Sequence, residues 1–216
     1  MSDLLAPYNL RFLAQGLWTT IYLSFIIIVL STIFGMILAV MRNGKNPIIK
    51  LIASIYIEFV RNVPNLLCIF IVFLVFQLQA TVAGITAFTI FTSAALAEII
   101  RGGLNAIDQG QTEAGLAQGF TQFQVLRIII LPQAIRKMLP SIISQFVTVV
   151  KDTSFLYSVI ALQDLFGKSQ ILMGKYFETS QIFTLYFIVA AAYFVVNFMI
   201  SSYSRHLSKK WEQAAE

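Results

Sequence analysis

The sequence predicts an all-α integral membrane fold of about five transmembrane helices, with the N-terminus outside and the C-terminus cytoplasmic. Hydrophobic residues make up 58% of the chain and charged residues only 12%, against about a quarter charged in an average soluble domain. The apolar residues lie in long blocks free of acids and bases, at 12–41, 62–97 and 179–204. Each is longer than the roughly 18 residues that mark a membrane-spanning helix. Bases gather mostly between and after these blocks, where the positive-inside rule places cytoplasmic loops.

The first crossing is expected at 17–41, with Trp18 and Tyr22 near its outer end, where aromatics favour the membrane interface. A basic turn follows, Arg42-Asn43-Gly44-Lys45-Asn46-Pro47 through Lys50, and marks that end as cytoplasmic. The next block would be about 54 Å long as one helix, nearly twice the hydrocarbon thickness, so it must fold back. Gln77 and Gln79, followed by Gly84, mark the turn, giving crossings at 55–76 and 81–101. Residues 102–137 are polar and carry Arg127, Arg136 and Lys137 beside Arg101, so they form a cytoplasmic loop. A fourth crossing is expected at 138–160, interrupted by Lys151 and Asp152. A mixed external segment with Asp164, Lys168, Lys175 and Glu178 leads to the last crossing, 181–203, and to a cytoplasmic tail with Arg205, Lys209 and Lys210. Arg11, Lys168 and Lys175 run against the charge bias on the outer side. No internal repeat or low-complexity stretch appears, so 1–216 reads as one domain. The first apolar block exceeds the roughly 7–15 residues of a signal-peptide core, so this segment is expected to stay in the mature protein.

Other chemistry is sparse. Cys68 stands alone, cannot form an intramolecular disulfide, and reads as a buried apolar side chain. The net charge of +5 is spread over loops and not over a basic soluble domain, which argues against nucleic acid and fits attraction to anionic lipid headgroups. His206 lies in the tail without metal-ligand companions, so no metal site is expected. Gly167-Lys168-Ser169 has the form of a phosphate-loop end, but Leu162 stands where that loop requires glycine. The chain is therefore expected to bind neither ATP nor another cofactor. An intramembrane enzyme would need a nucleophile with a base, or a metal cluster, and one Cys and one tail His supply neither.

The informative stretch is the cytoplasmic loop. Asp108 and Gln111 have the spacing of a capped helix start, and Gly119 is a natural stop. A second helical piece can begin at Thr121, with Gln124 completing a capping box and Pro132 limiting its continuation. This piece carries Phe120, Phe123, Val125 and Leu126 among polar residues, an unusually apolar surface for a loop.

This loop resembles that of the ABC importer permeases, which bears Glu-Ala-Ala, three residues, Gly, nine residues, Ile, one residue, Leu-Pro. Glu113, Ala114, Gly119, Ile129, Leu131 and Pro132 match in type and spacing, and only Gly115 departs, standing for the second alanine. Glu58-Phe59-Val60-Arg61-Asn62-Val63-Pro64 is similar to the Glu-Phe-Phe-Arg-Gly-Thr-Pro of the polar amino acid branch. Glu98-Ile99-Ile100-Arg101-Gly102-Gly103 resembles its Glu-Ile-Phe-Arg-Gly-Gly, and Lys151-Asp152-Thr153-Ser154 its Lys-Asp-Thr-Ser-Leu, with Phe155 departing at the end. The resemblance implies a non-catalytic subunit of a bacterial cytoplasmic-membrane importer that passes a polar amino acid by alternating access. It implies a coupling helix containing Glu113, Ala114, Gly115, Gly119, Phe123, Leu131 and Pro132. Its implied partners are a second permease subunit, identical or homologous, two ATPase subunits holding ATP and Mg²⁺, and an external solute-binding protein or domain. The competing reading is an ion-coupled secondary amino acid transporter, whose sites usually lie between repeated halves. It leaves the loop unexplained.

Charges within the apolar segments are candidate gate or pathway residues. Glu58 and Arg61, like Glu98 and Arg101, stand three apart and share a helix face. Both pairs are expected toward the cytoplasmic side, where they could cross-pair, because charges in membrane helices face a partner, the bundle interior or water. They are either a static lock between two helices or a gate that changes pairing during transport. Lys151, Asp152, Thr153 and Ser154 offer both charge signs and two hydroxyls, as a zwitterionic amino acid requires. Equally, Lys151 and Asp152 could neutralise each other. Pro64 and Pro140 interrupt helical hydrogen bonding, and the freed carbonyls either line a pathway or accompany simple kinks.

Overall fold

A computed structural model describes residues 3–44 and 46–213, and every regular element among them is helical. Lys45 of the basic turn and the side chain of Lys209 in the tail lie outside the described residues.

Helix α1 spans Pro7–Asn43 and so begins well before position 17. Pro7 sits in its first turn, where the missing N–H costs nothing. The buried residues Thr20, Ser24, Ile27, Ser31, Gly35 and Ala39 recur every three or four positions, which places them on one face, and most are small. This helix packs along α4, Ala80–Asn105, which buries Ala83, Gly84, Ala87, Ala94 and Ala97. A Cβ on Gly35 would come within 2.9 Å of Leu96 Cβ and 3.1 Å of the Ser93 carbonyl oxygen, so the glycine sets the helix separation there. Small residues serve this purpose in membranes, where close van der Waals contact drives helix association.

The crossing expected at 55–76 is broken. Helix α2, Pro47–Asn62, and helix α3, Asn65–Phe76, meet at 107°. Pro64 lacks an N–H and crowds the preceding residue out of helical space, and Val63 is accordingly extended at φ −94°, ψ 135°. Asn46 caps α2 by accepting from the N–H groups of Ile48 and Ile49. The chain turns at Gln77, in left-handed conformation at φ 48°, as its polar residues suggested. Gly84 lies inside α4 and not in the turn, with Leu156 Cδ2 3.0 Å from where its Cβ would be.

The cytoplasmic loop forms α5, Gln109–Ala117, and the short α6, Gln122–Gln124, which runs through a π-helical stretch, Val125–Ile130, into α7, Leu131–Asp152. The crossing expected at 138–160 thus begins earlier, and it breaks at Thr153 and Ser154 before a short α8, Phe155–Ile160. Pro140 sits inside an unbroken α7. The mixed segment contains a helix of its own, α9, Leu165–Met173, packed against α1 and α10, Thr179–Gln213. Among the described residues, three helices are long and apolar enough to cross a membrane: α1, α4 and the Thr179–Ser208 part of α10. The bent α2–α3 pair makes a fourth span if counted as one. Helix α7 has the length, but it carries Arg136 and Lys137 near one end and Lys151 and Asp152 at the other. Exposed Phe183, Phe187 and Phe194 on α10 give that helix the surface a lipid environment solvates. The main core joins Leu23 and Ile27 of α1 to Ile69, Phe88, Val149 and Leu156.

Candidate functional site

Three groups of residues carry the candidate chemistry. In the loop, Asp108 caps α5 by accepting from the Gly110 N–H at 2.7 Å. The helix stops at Gly119, φ +87°. There the Gly119 N–H donates to the Leu116 carbonyl at 3.0 Å and the Phe120 N–H to the Gly115 carbonyl at 3.2 Å. This reciprocal pair is the glycine-dependent helix stop that the sequence suggested. Thr121 and Gln124 complete the capping box, the Thr121 N–H donating to Gln124 Oε1 at 2.8 Å and the Gln124 N–H to Thr121 Oγ1 at 3.3 Å.

Pro132 does not limit the second piece. It sits in the first turn of α7, just after the π-helical stretch. The carbonyl four residues before a proline has no N–H to receive and clashes with its ring. That carbonyl belongs to Ile128, inside the widened stretch, so the π geometry absorbs the conflict without ending the helix. Gly115 also acquires a reason. A Cβ there would lie 2.8 Å from both Val125 Cγ2 and Ile129 Cδ1, so the glycine lets the two arms of the loop close together. Glu113, Ala114 and Pro132 are exposed. Phe123 is 68% exposed, and Leu116, Leu126, Ile128 and Leu131 also reach the surface, leaving the loop with an apolar outer patch.

The second group centres on Glu98, 14% exposed. Its Oε1 accepts from Arg42 at 2.5 Å, and both its oxygens accept from Arg101 at 2.9–3.2 Å. Arg61 lies 3.5 Å from Oε2. Arg42 also donates to Glu58 at 2.8 Å. Arg61 therefore reaches across to α4 as the cross-pairing reading expects, whereas Arg101 pairs within its own helix. Arg42, which joins both carboxylates, was legible only as a loop base. Its place in the last turn of α1, directly after an apolar block, was the available signal.

The third group divides. Lys151 and Ser154 line a cavity of about 280 Å³ with Phe166, Tyr186, Val189, Ala190 and Tyr193. Asp152 does not line it, and Thr153 is fully buried with its hydroxyl donating to the Val150 carbonyl at 2.9 Å. Behind Tyr193 lies Asp164, an acid that sequence reasoning placed in an external loop and that is fully buried. The Tyr193 hydroxyl donates to it at 3.2 Å, Thr20 Oγ1 at 3.4 Å and the Gly167 N–H at 2.8 Å. Asp164 thus ties α1, α9 and α10 together. Gly16 makes this possible, since a Cβ there would be 2.9 Å from the Asp164 carbonyl oxygen.

Burial pushes the Asp164 carboxyl up to about 6, against the opposing hydrogen bonds from Gly167, Tyr193 and Thr20. The folded protein therefore holds a proton that the unfolded chain releases between about pH 6 and the ordinary value of 3.8, so acidification through that window stabilises the fold. A gap of that size is worth about 3 kcal/mol. The thermal midpoint of the purified protein is expected to rise as pH falls from 7 toward 4. In Asp164→Asn this part of the rise should be absent; an unchanged pH profile would contradict the assignment.

Comparison with known proteins agrees with these features. The sequence profile described as "Binding-protein-dependent transport system inner membrane component" matches residues 31–213. The "Probable glutamine ABC transporter permease protein GlnP" of Bacillus subtilis (strain 168) is 42% identical over 213 residues, covering 95% of this chain and 97% of that protein. The "Probable glutamine ABC transporter permease protein GlnM" of the same organism is 34% identical, covering 95% and 96%. Among solved structures, "Crystal structure of an amino acid ABC transporter with histidines" superimposes with a TM-score of 0.85 at 32% identity, covering 94% and 95%. An inward-facing structure of the MetNI methionine ABC transporter shares the fold, with a TM-score of 0.76 at 17% identity, covering 95% and 99%. These matches favour a permease over an ion-coupled secondary transporter. The chain belongs to the family of inner-membrane components of binding-protein-dependent transport systems.

Proposed function

We propose that the chain moves a polar amino acid, glutamine in the first instance, across a bacterial cytoplasmic membrane, as one of two permease subunits driven by a separate pair of ATPases. ATP and Mg²⁺ belong to those partners, and an external solute-binding protein or domain delivers the substrate. The observation that carries the reading is the loop: two capped helical arms locked at Gly119, presenting Phe123, Leu126 and Glu113 outward. A rigid, exposed, partly apolar projection is suited to docking in a groove on the ATPase, and moving it would bias the bundle between inward-open and outward-open states. The orientation follows from charge: residues 102–137 and the tail inside, the start of α1 outside.

The amino acid class is supported by the names of the relatives and by two features of α7. Ser141, Ser144, Thr148 and Lys151 share one face, on which Ser141, Ser144 and Lys151 are exposed. A polar line of this kind suits an aqueous passage between two permeases. At its end, the cavity bearing Lys151 and Ser154 offers a cation and a hydroxyl to a substrate carboxylate. Glu58, Arg61, Glu98 and Arg101, with Pro64 at the adjoining bend, form the candidate gate below it.

Purification of the tagged chain with its partners, followed by uptake of labelled glutamine into proteoliposomes, tests the reading. Copurified ATPase subunits and uptake suppressed by excess glutamine, with polar amino acids competing better than apolar ones, are expected. Uptake driven by an ion gradient without ATP would overturn it.

A further inference from the structure

A groove of about 520 Å³ lies between α1, α2 and α4. Its walls are nearly all apolar, among them Leu30, Phe34, Ile37, Met41 and Ile85. It opens outward, where Phe34 and Ile37 are about half exposed, at 50% and 48%. The polar line of α7 has no part in it, so an aqueous passage would have to run elsewhere. An apolar wall of this size suits a hydrocarbon chain.

The groove ends at the Glu98 cluster. Met41 of its wall precedes Arg42, Tyr56 lies two residues before Glu58, and Ser93 lies within two helical turns of Glu98. Three guanidiniums there face two carboxylates. Both oxygens of Glu98 are already engaged by Arg42 and Arg101. Arg61 makes a single ion pair, at 3.5 Å, and its side chain is 43% exposed. The cluster therefore carries one surplus positive charge, with the partly exposed Arg61 guanidinium on the cluster that adjoins the end of the apolar groove. Guanidinium matches phosphate oxygens in planar, charge-assisted geometry.

We infer that this groove and Arg61 form a binding site for an anionic phospholipid of the inner leaflet, with an acyl chain along α1 and α4 and the phosphate on Arg61. The site rests on the proposed orientation, which puts the Glu98 cluster at the cytoplasmic headgroup level, where anionic lipid attracts basic groups.

The test uses the intact transporter with its partner subunits. Native mass spectrometry counts the phosphatidylglycerol or phosphatidylcholine, of identical acyl chains, that it retains. Phosphatidylglycerol should be retained in preference. Arg61→Gln should lower its retention about tenfold, the effect of losing a charge-assisted hydrogen bond, and leave phosphatidylcholine unaffected. Thr86→Phe, which fills the groove, should lower the retention of both lipids. Equal retention of the two lipids by the wild-type complex overturns the inference, as does unchanged phosphatidylglycerol retention in both variants. So does efficient cross-linking of Phe34→Cys between two copies of the chain, which would make the groove a permease interface. A complex that carries its ATPase but shows no lipid preference rejects only the lipid site, whereas absence of the ATPase rejects the transporter reading.

Discussion

Glu98→Gln is expected to destabilise the chain more than any other single change in the charged cluster. Glu98 is mostly enclosed, at 14% exposure, and it neutralises Arg42, itself 17% exposed, together with Arg101 and Arg61. Glutamine is nearly isosteric but neutral, and it leaves three guanidiniums facing Glu58 alone. Removing one partner from a buried ion pair typically costs about 3–5 kcal/mol. Because Arg61 and Arg101 keep contact with solvent, the lower end, about 3 kcal/mol, is the expected loss. Membrane abundance and the thermal midpoint of the solubilised complex should both fall. Uptake per assembled molecule separates the two roles of the cluster. A static lock leaves it unchanged, and a gate changes it. An unaltered thermal midpoint would show that Glu98 does not bind the helices together.

Gly119→Val is expected to abolish most transport while leaving the chain in the membrane. The backbone at Gly119 is left-handed, φ +87°, and nothing lies within 4 Å of where a Cβ would stand. The damage is therefore conformational and not steric. A left-handed backbone costs an ordinary residue about 1–2 kcal/mol, and a β-branched residue fares worse. The turn that joins the Gly115 and Leu116 carbonyls to the next residues would open, and Phe123 would lose its fixed position relative to Glu113. A change of about 2 kcal/mol in the docking-competent population lowers coupling by more than tenfold. Gly119→Asn is a control, since asparagine tolerates left-handed backbone and should retain more activity.

Much of this was legible in the sequence because its physics is local. Apolar block length, the Asp108 and Thr121 caps and the glycine stop depend on residues only a few positions apart. What depends on distant partners was not legible. Pro64 announces a break, but the 107° bend is set by what α2 and α3 pack against. Pro132 reads as a stop because proline breaks regular α-helix, and the π stretch that accommodates it packs against Gly115 on the opposite arm of the loop. Asp164 reads as a solvated loop acid. Its burial arises because Gly16, far away in sequence, lets the start of α9 press against α1. Arg42 likewise takes its meaning from Glu58 and Glu98 on other helices.

The most direct test of the central claim, that this chain is a permease driven through its cytoplasmic loop, compares wild-type, Gly119→Val and Gly119→Asn chains at matched membrane abundance. The measurement is ATP-driven uptake of labelled glutamine in proteoliposomes, alongside the amount of ATPase that copurifies. Reduced copurification, or intact copurification with uptake lowered more than tenfold, is expected for valine, with partial recovery for asparagine. Normal ATP-driven uptake by the valine variant would contradict the claim.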